Sequence, residues 1–302
     1  MRYSTQSERP YDMSSSLDST QSRIAAQQNA YKVAAIQMAS GPNVEGNLNE
    51  ARRLVAKAAE EGAKLVVLPE FFAIMGMTEQ DKVRVREQPG QGPVQAFLSE
   101  TAKKHKIWLM GSLPLLANAP DKVRNSLLVY DEIGAQVARY DKIHLFNLTL
   151  GNESYNEAET IEAGDRVVVI DSPFGRIGLA ICYDLRFPEL FRAMQDVDII
   201  VLPSAFTATT GKVHWEPLIR ARAIENLAYV IAAAQGGYHV SGRETHGHSM
   251  IVDPWGRIMD ELQRGSGVVY GDINASYQKS LRNSLPALTH RTIVCTCCDK
   301  KA

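Results

Sequence analysis

Hydrophobic positions in this chain form short unbroken runs and helical stripes that alternate for most of its length. Lys32-Val-Ala-Ala-Ile-Gln37 predicts a strand. Ala51, Leu54, Val55, Ala58 and Ala59 then recur at helical spacing over 47–61, and Gly62 ends the pattern. Lys64-Leu-Val-Val-Leu68 is a continuous apolar run closed by Pro69, as expected of a strand covered on both faces. The rhythm continues with a helix over 94–105, a strand over 107–111 and a hairpin pairing 126–130 with 135–140. A second pair, 166–170 and 177–181, turns at Ser172-Pro-Phe-Gly175. A helix over 188–195, a strand over 198–202, a helix over 215–226 and strands over 229–234, 248–252 and 268–272 follow. Strand–helix alternation interrupted by hairpins predicts an α/β domain whose mixed sheets are covered by helices. The domain is expected over 31–291, with no internal repeat and no second boundary.

The two ends differ from this pattern. Residues 1–30 are rich in Ser, Gln, Arg and Asp and lack periodicity, so they predict a disordered leader. It has no apolar stretch of a secretion signal, and Glu8, Asp12 and Asp18 argue against an organelle transit peptide. Residues 292–302 form a divergent tail carrying Cys295, Cys297 and Cys298, a spacing without the second ligand pair of a zinc site. In a chain of 302 residues, 33 Lys and Arg balance 34 Asp and Glu, so no basic field favours nucleic acid or an anionic membrane. No apolar run reaches the roughly 18 residues of a membrane-spanning helix. The remaining cysteine, Cys182, stands alone in the interior of the sequence. An isolated cysteine suits a reducing compartment, here the cytoplasm, as either a nucleophile or a small core residue.

Three positions are distinguished by placement. Glu70 lies just beyond a buried strand, Lys142 follows the strand ending near Tyr140, and Cys182 follows the run Gly175-Arg-Ile-Gly-Leu-Ala-Ile181. Strand ends are where α/β folds assemble sites, because the loops there are free to present side chains. The three are chemically complementary. A thiol attacks carbonyls as its thiolate, a carboxylate can take and return its proton, and an ammonium can hold an oxyanion, helped by a backbone N–H such as that of Tyr183. Pro188 suits a first helical turn, which would set free N–H groups before the thiol and lower its pKa. Such a set hydrolyses amides without metal or cofactor. Taken singly, each residue also has an ordinary reading, as a loop carboxylate, a surface charge or a packed thiol.

At these residues the chain resembles the nitrilase superfamily of carbon–nitrogen hydrolases. Leu65-Val-Val-Leu-Pro-Glu70 resembles the segment carrying the catalytic glutamate, and Tyr140-Asp-Lys-Ile-His-Leu-Phe146 resembles the lysine segment. Gly178-Leu-Ala-Ile-Cys-Tyr-Asp-Leu-Arg-Phe-Pro-Glu189 resembles the nucleophile segment. The resemblance implies a four-layer α-β-β-α sandwich, a small-molecule amide substrate, no cofactor, and a homodimer or larger assembly. It also implies a second glutamate near the substrate, matched by Glu157, with Glu153 and Glu159 as neighbouring alternatives.

Tyr183-Asp184 after the cysteine is similar to amidase branches, where nitrilases proper carry Trp-Glu. Pro203-Ser-Ala-Phe206 and Arg220-Ala-Arg-Ala-Ile-Glu-Asn226 are among segments resembling the deaminated glutathione amidase and omega-amidase branches, and Gly247-His-Ser-Met-Ile-Val-Asp-Pro-Trp-Gly256 is among those that look closer to the former. A linear amide bearing carboxylates is then the expected substrate. Arg186 and Arg243 are the candidate cations for it, although an intramolecular ion pair is equally open to Arg186. His214 and Trp215 are candidate pocket walls, and Asp253-Pro-Trp-Gly256 reads as a hairpin turn. An omega-amidase or nitrilase activity, or a non-catalytic interaction protein on the same fold, are the competing expectations.

Overall fold

The computed structural model describes residues 30–293, apart from position 152 and the side chain of Glu153. The expected leader and the three-cysteine tail lie outside the described residues, save 30 and 292–293 at their edges. In chain order the first half comprises β1 (Ala30–Gln37), α1 (Val44–Glu60), β2 (Leu65–Val67), α2 (Asp81–Arg84), α3 (Pro93–His105), β3 (Trp108–Leu116), β4 (Val123–Tyr130) and β5 (Gln136–Asp141). The second half comprises β6 (Asn147–Leu150), β7 (Glu153–Asn156), β8 (Val169–Ser172), β9 (Gly175–Leu179), α4 (Pro188–Ala193), β10 (Ile199–Val201), α5 (Ala208–Asn226), β11 (Tyr229–Ala232), β12 (Gly236–Tyr238), β13 (Glu244–His246), β14 (Ser249–Val252), β15 (Ile258–Leu262), β16 (Gly267–Asn274) and α6 (Ala275–Ser284).

Two six-stranded sheets, ordered β16-β1-β2-β3-β4-β5 and β15-β14-β11-β10-β9-β8, form the centre. The middle strands of each run parallel and the outer ones antiparallel. Strand periodicity divides the core between layers. Val33, Ala35, Leu65, Val67 and Met110 point inward and join Ile177, Leu179, Ile199 and Val201 of the other sheet. Their neighbours Ala34, Ile36, Val66 and Leu68 point outward onto Ala51, Leu54, Val55 and Ala58 of α1 and Leu98 and Ala102 of α3. On the far side Leu190, Phe191, Trp215, Ile219 and Ala223 of α4 and α5 cover the second sheet. This is the expected α-β-β-α sandwich, and covering both faces explains why the central strands read as unbroken apolar runs.

Helix α5 begins at Ala208, well before the expected 215. Thr207 caps it, its hydroxyl accepting the Thr210 N–H at 3.3 Å. The stretch Ala-Thr-Thr-Gly argues against helix by propensity, but tertiary packing overrides it. A Cβ on Gly211 would lie 2.3 Å from the His246 ring, so only glycine lets α5 and β13 approach. Strand β8 starts at Val169 rather than 166. The hairpins β6–β7 and β12–β13 and the helices α2 and α6 are absent from the sequence expectation. The hairpin strands span only three or four residues each, and Gln278 is the buried residue of α6. Asp253-Pro-Trp-Gly256 does form the turn joining β14 to β15, its carboxylate accepting the Trp255 and Arg257 N–H groups.

Candidate active site

Three loops at strand ends of the two sheets converge. Beyond β2, Pro69 takes the chain out of the sheet and Glu70 turns inward, 2% exposed. The Gln235 amide donates to the Glu70 carbonyl at 3.1 Å and holds that turn. After β5, the Lys142 N–H bonds to the Asn125 carbonyl at 2.9 Å and carries its side chain to full burial. After β9 a 3-10 turn, Cys182–Arg186, sets Cys182 at its start with φ +49°, a left-handed value that is strained for a residue bearing a Cβ. The Cys182 N–H is held by the Pro203 carbonyl at 2.9 Å.

The ammonium of Lys142 lies between two carboxylates. It donates to Glu70 Oε1 at 2.9 Å and forks over Glu157 at 3.0 Å and 2.8 Å. Glu157 opens a 3-10 turn after the β6–β7 hairpin, and the Phe146 N–H also bonds its Oε2 at 2.8 Å. Glu159 instead faces solvent beside Asn156. Burial opposes the charge of Lys142, but Glu157 and Glu70 outweigh it and hold its pKa well above the ordinary amine value.

The sulfur behaves differently from the sequence expectation of a lowered thiol pKa. Burial, followed by the Glu70 charge, pushes Cys182 well above the ordinary thiol range, and Lys142 and the Ala205 N–H only partly offset this. Burial and the neighbouring Glu70 thus favour the neutral thiol over the thiolate. The 3-10 turn does present backbone N–H groups there, yet one short turn does not outweigh desolvation by burial.

A buried carboxylate ties two of the loops together. Asp184 Oδ2 accepts from the Tyr140 hydroxyl at 2.7 Å and the Ile181 N–H at 2.9 Å. Its Oδ1 accepts from the His144 N–H at 3.1 Å and lies 2.8 Å from His144 Nδ1. Tyr140 and His144 flank Lys142, while Ile181 precedes Cys182, so one side chain sets the two loops against each other. Burial and then Asp184 hold the Tyr140 hydroxyl well above its usual pKa, which keeps it a donor. Replacing Asp184 by Ala orphans these buried donors and is expected to cost about 3–5 kcal/mol. A denaturant midpoint implying less than about 1 kcal/mol would contradict that role.

Cys182, Glu157, Tyr183, Arg186, Phe206 and Arg243 line a common cavity. It leaves about 10 Å³ free, room for about one water molecule. Arg243, from the β12–β13 connection, lies over the Tyr155 ring of β7 at 5.2 Å, so the two hairpins meet there. The ion pair open to Arg186 is not found among the described residues. Its guanidinium lies over the Tyr183 and Phe206 rings at 5.7 Å and 5.3 Å and donates to His214 Nδ1 at 3.1 Å. His214 and Trp215 are not pocket walls. His214 is exposed on α5, and Trp215 is fully buried, donating to the His248 carbonyl at 2.7 Å. Sequence reading missed Asn125, whose amide donates to Glu70 Oε1 at 2.8 Å. A lone Asn within a strand has no linear signal pointing to a partner 55 positions away.

A buried thiol, a carboxylate and an ammonium at the strand ends of an α-β-β-α sandwich define a carbon–nitrogen hydrolase, and the carbon-nitrogen hydrolase family profile matches residues 32–283. The chain belongs to this family, within the nitrilase superfamily. It is 42% identical over 272 residues to a Synechocystis protein named deaminated glutathione amidase, covering 87% of this chain and 99% of that one. The crystal structure of the C. elegans NitFhit protein superposes with a TM-score of 0.80 at 37% identity over 87% of this chain, which spans 65% of that longer one. Saccharomyces cerevisiae Nit3, described as a member of branch 10 of the nitrilase superfamily, superposes with a TM-score of 0.79 at 32% identity, covering 88% of this chain and 97% of that one.

Proposed function

We propose that this enzyme is a thiol amidase hydrolysing a linear carboxylated amide, with deaminated glutathione as the leading substrate. The observation that carries the reading is the buried set in which Lys142 bonds both Glu70 and Glu157 beside Cys182. Among the described residues neither Arg186 nor Arg243 has a carboxylate within 4.0 Å, and Arg243 Nε is buried without a hydrogen-bond partner. Two guanidiniums at one cavity, neither with a carboxylate within 4.0 Å among the described residues, suit a substrate bearing carboxylates. The name of the Synechocystis relative points to the same chemistry.

In the proposed reaction the thiol proton passes to Glu70 as sulfur bonds to the amide carbon. The oxyanion is held by Lys142 Nζ and the Tyr183 N–H. Collapse breaks the C–N bond, and Glu70 returns the proton to the departing amine, leaving a thioester on Cys182. Water then enters and gives a proton to Glu70 as its oxygen attacks the thioester. The tetrahedral adduct expels sulfur, which recovers the proton, and the carboxylic acid leaves. Glu157 orients Lys142 and completes the charge balance at the ammonium.

A free cysteine at the reacting position favours a reducing compartment such as the cytoplasm as the enzyme's location. Exposed Val213 and Ile224 on α5, 66% and 49% accessible, support assembly as a homodimer or larger oligomer through helices. Incubating the enzyme with deaminated glutathione, omega-amides and nitriles, and reading both the released amine or ammonia and the acyl-enzyme mass, tests the substrate. Arg243→Ala is expected to lower kcat/KM for the carboxylated amide about 10- to 100-fold, the loss of a charged hydrogen bond, with little change for a neutral amide. Equal losses on both substrates would remove Arg243 from recognition, and nitrile turnover without amide turnover would overturn the amidase reading.

A further inference from the structure

The two oxygens of Glu70 are not equivalent. Lys142 Nζ and Asn125 Nδ2 both donate to Oε1, at 2.9 Å and 2.8 Å, while Oε2 has no hydrogen-bond partner among the described residues. Asn125 lies on β4 and is 1% exposed; Ser112 on β3 is fully buried. Ser112 pairs with Leu127 across the ladder, so Asn125, two positions away, is its diagonal neighbour on the same face. The Ser112 hydroxyl donates to Asn125 Oδ1 at 2.7 Å and accepts the Phe71 N–H at 3.3 Å. This chain fixes which way the amide points. Turned over, Asn125 would set its oxygen against the Glu70 carboxylate, acceptor against acceptor.

We infer that Asn125, oriented by Ser112, is a positioning residue that occupies Oε1 of Glu70 and reserves Oε2 for the proton of Cys182. The inference rests on the proposed role of Glu70 as the base. A carboxylate with two donors on one oxygen keeps its basic lone pairs on the other, and that oxygen is the one free to face the thiol. The proton enters on Oε2, leaves from Oε2 to the amine, and never displaces the Lys142 or Asn125 contacts. The Lys142 ammonium therefore stays in place through the cycle, ready for the second oxyanion.

Asn125→Asp tests this, because it keeps the shape and replaces the amide donor with an oxygen. Two carboxylates at hydrogen-bond distance share a proton, which Glu70 then takes up before the thiol can supply one. The expected result is a kcat lower by about 100-fold at neutral pH, a nearly unchanged KM, and an acid limb of the kcat/KM profile displaced to higher pH by more than one unit. Asn125 does not line the cavity, which is why KM should hold. Ser112→Ala is the second variant. Freeing the amide to turn over should lower kcat about 3- to 10-fold with a smaller displacement in the same direction. It also decides the question should Asn125→Asp fail to fold. A rate loss with a profile that overlays the parent's would make the role merely structural and overturn the inference. Glu70→Gln separates the two levels. If it remains active, the base assignment fails; if it is inactive while the Asn125 and Ser112 profiles stay put, only this inference fails.

Discussion

Cys182→Ala is expected to fold as the parent does and to lose amide hydrolysis by roughly 10⁴-fold or more. The reason for the intact fold is that the sulfur makes few of the contacts holding the site. The Cys182 N–H bond to Pro203 is a backbone interaction, and the Lys142 bonds to Glu70 and Glu157 involve no sulfur. Alanine must still adopt the left-handed φ of +49°, so the strain is carried over and neither relieved nor deepened. The chemical loss is large because the remaining groups hold no other nucleophile on the carbonyl carbon. Glu70 could in principle activate water in the first step, but water at that point lacks the tethered geometry of a side-chain atom. Melting temperature and amine release measured on the same preparation check both halves. A folded variant that retained more than about a hundredth of the parent rate would remove the sulfur from the mechanism, as would a parent enzyme that never shows a thioester-sized mass increase.

The fold was legible where both faces of a strand are covered. Leu65-Val-Val-Leu68 and Ile199-Ile-Val-Leu202 have no polar side to hide, and the stripe Ala51, Leu54, Val55, Ala58 marks the buried face of α1. It was less legible where an element is held by one tertiary fact. The first two turns of α5 depend on the Thr207 cap and on Gly211 meeting His246, neither of which has a periodic signature. The same division runs through the site. Glu70, Lys142 and Cys182 stand out in the sequence because each follows a recognisable strand and lies in a segment resembling a family motif, and the fold brings the three loops together. Glu157 was matched by resemblance with Glu153 and Glu159 as alternatives, and the fold turns the Glu157 carboxylate onto Lys142 while Glu159 faces solvent.

Charge states were the least legible of all. A list of residues predicts an activated thiol near a cation, yet the sulfur is buried and Glu70 lies close, and both act against the thiolate. The same kind of loss affects Asn125 and Asp184, whose partners come from other loops. Their importance lies in hydrogen bonds that saturate particular oxygens, and no spacing in the chain encodes which oxygen is left over.

Removing the ammonium should show how tightly the site's charges balance. Lys142→Met keeps a long flexible side chain of similar reach but leaves Glu70 and Glu157 facing the gap once bridged at 2.9 Å and 2.8 Å. Breaking one partner out of a buried ionic cluster is expected to cost about 3–5 kcal/mol at neutral pH, and activity should fall to background with the oxyanion donor gone. In the parent, the Lys142 pKa is raised on folding, so its contribution is complete below the unfolded amine value of about 10.4 and is lost only as pH climbs through the higher folded value. Neutral pH thus shows the whole effect. In the variant the two carboxylates repel and bind protons more readily folded than unfolded, so its stability must rise relative to the parent's as pH falls toward the carboxylate range. Denaturant titrations of both proteins at pH 7 and pH 5 read this directly. A stability gap of the same size at both pH values would mean that the carboxylates do not depend on Lys142 for their compensation, and the picture of one ammonium neutralising the pair would have to be abandoned.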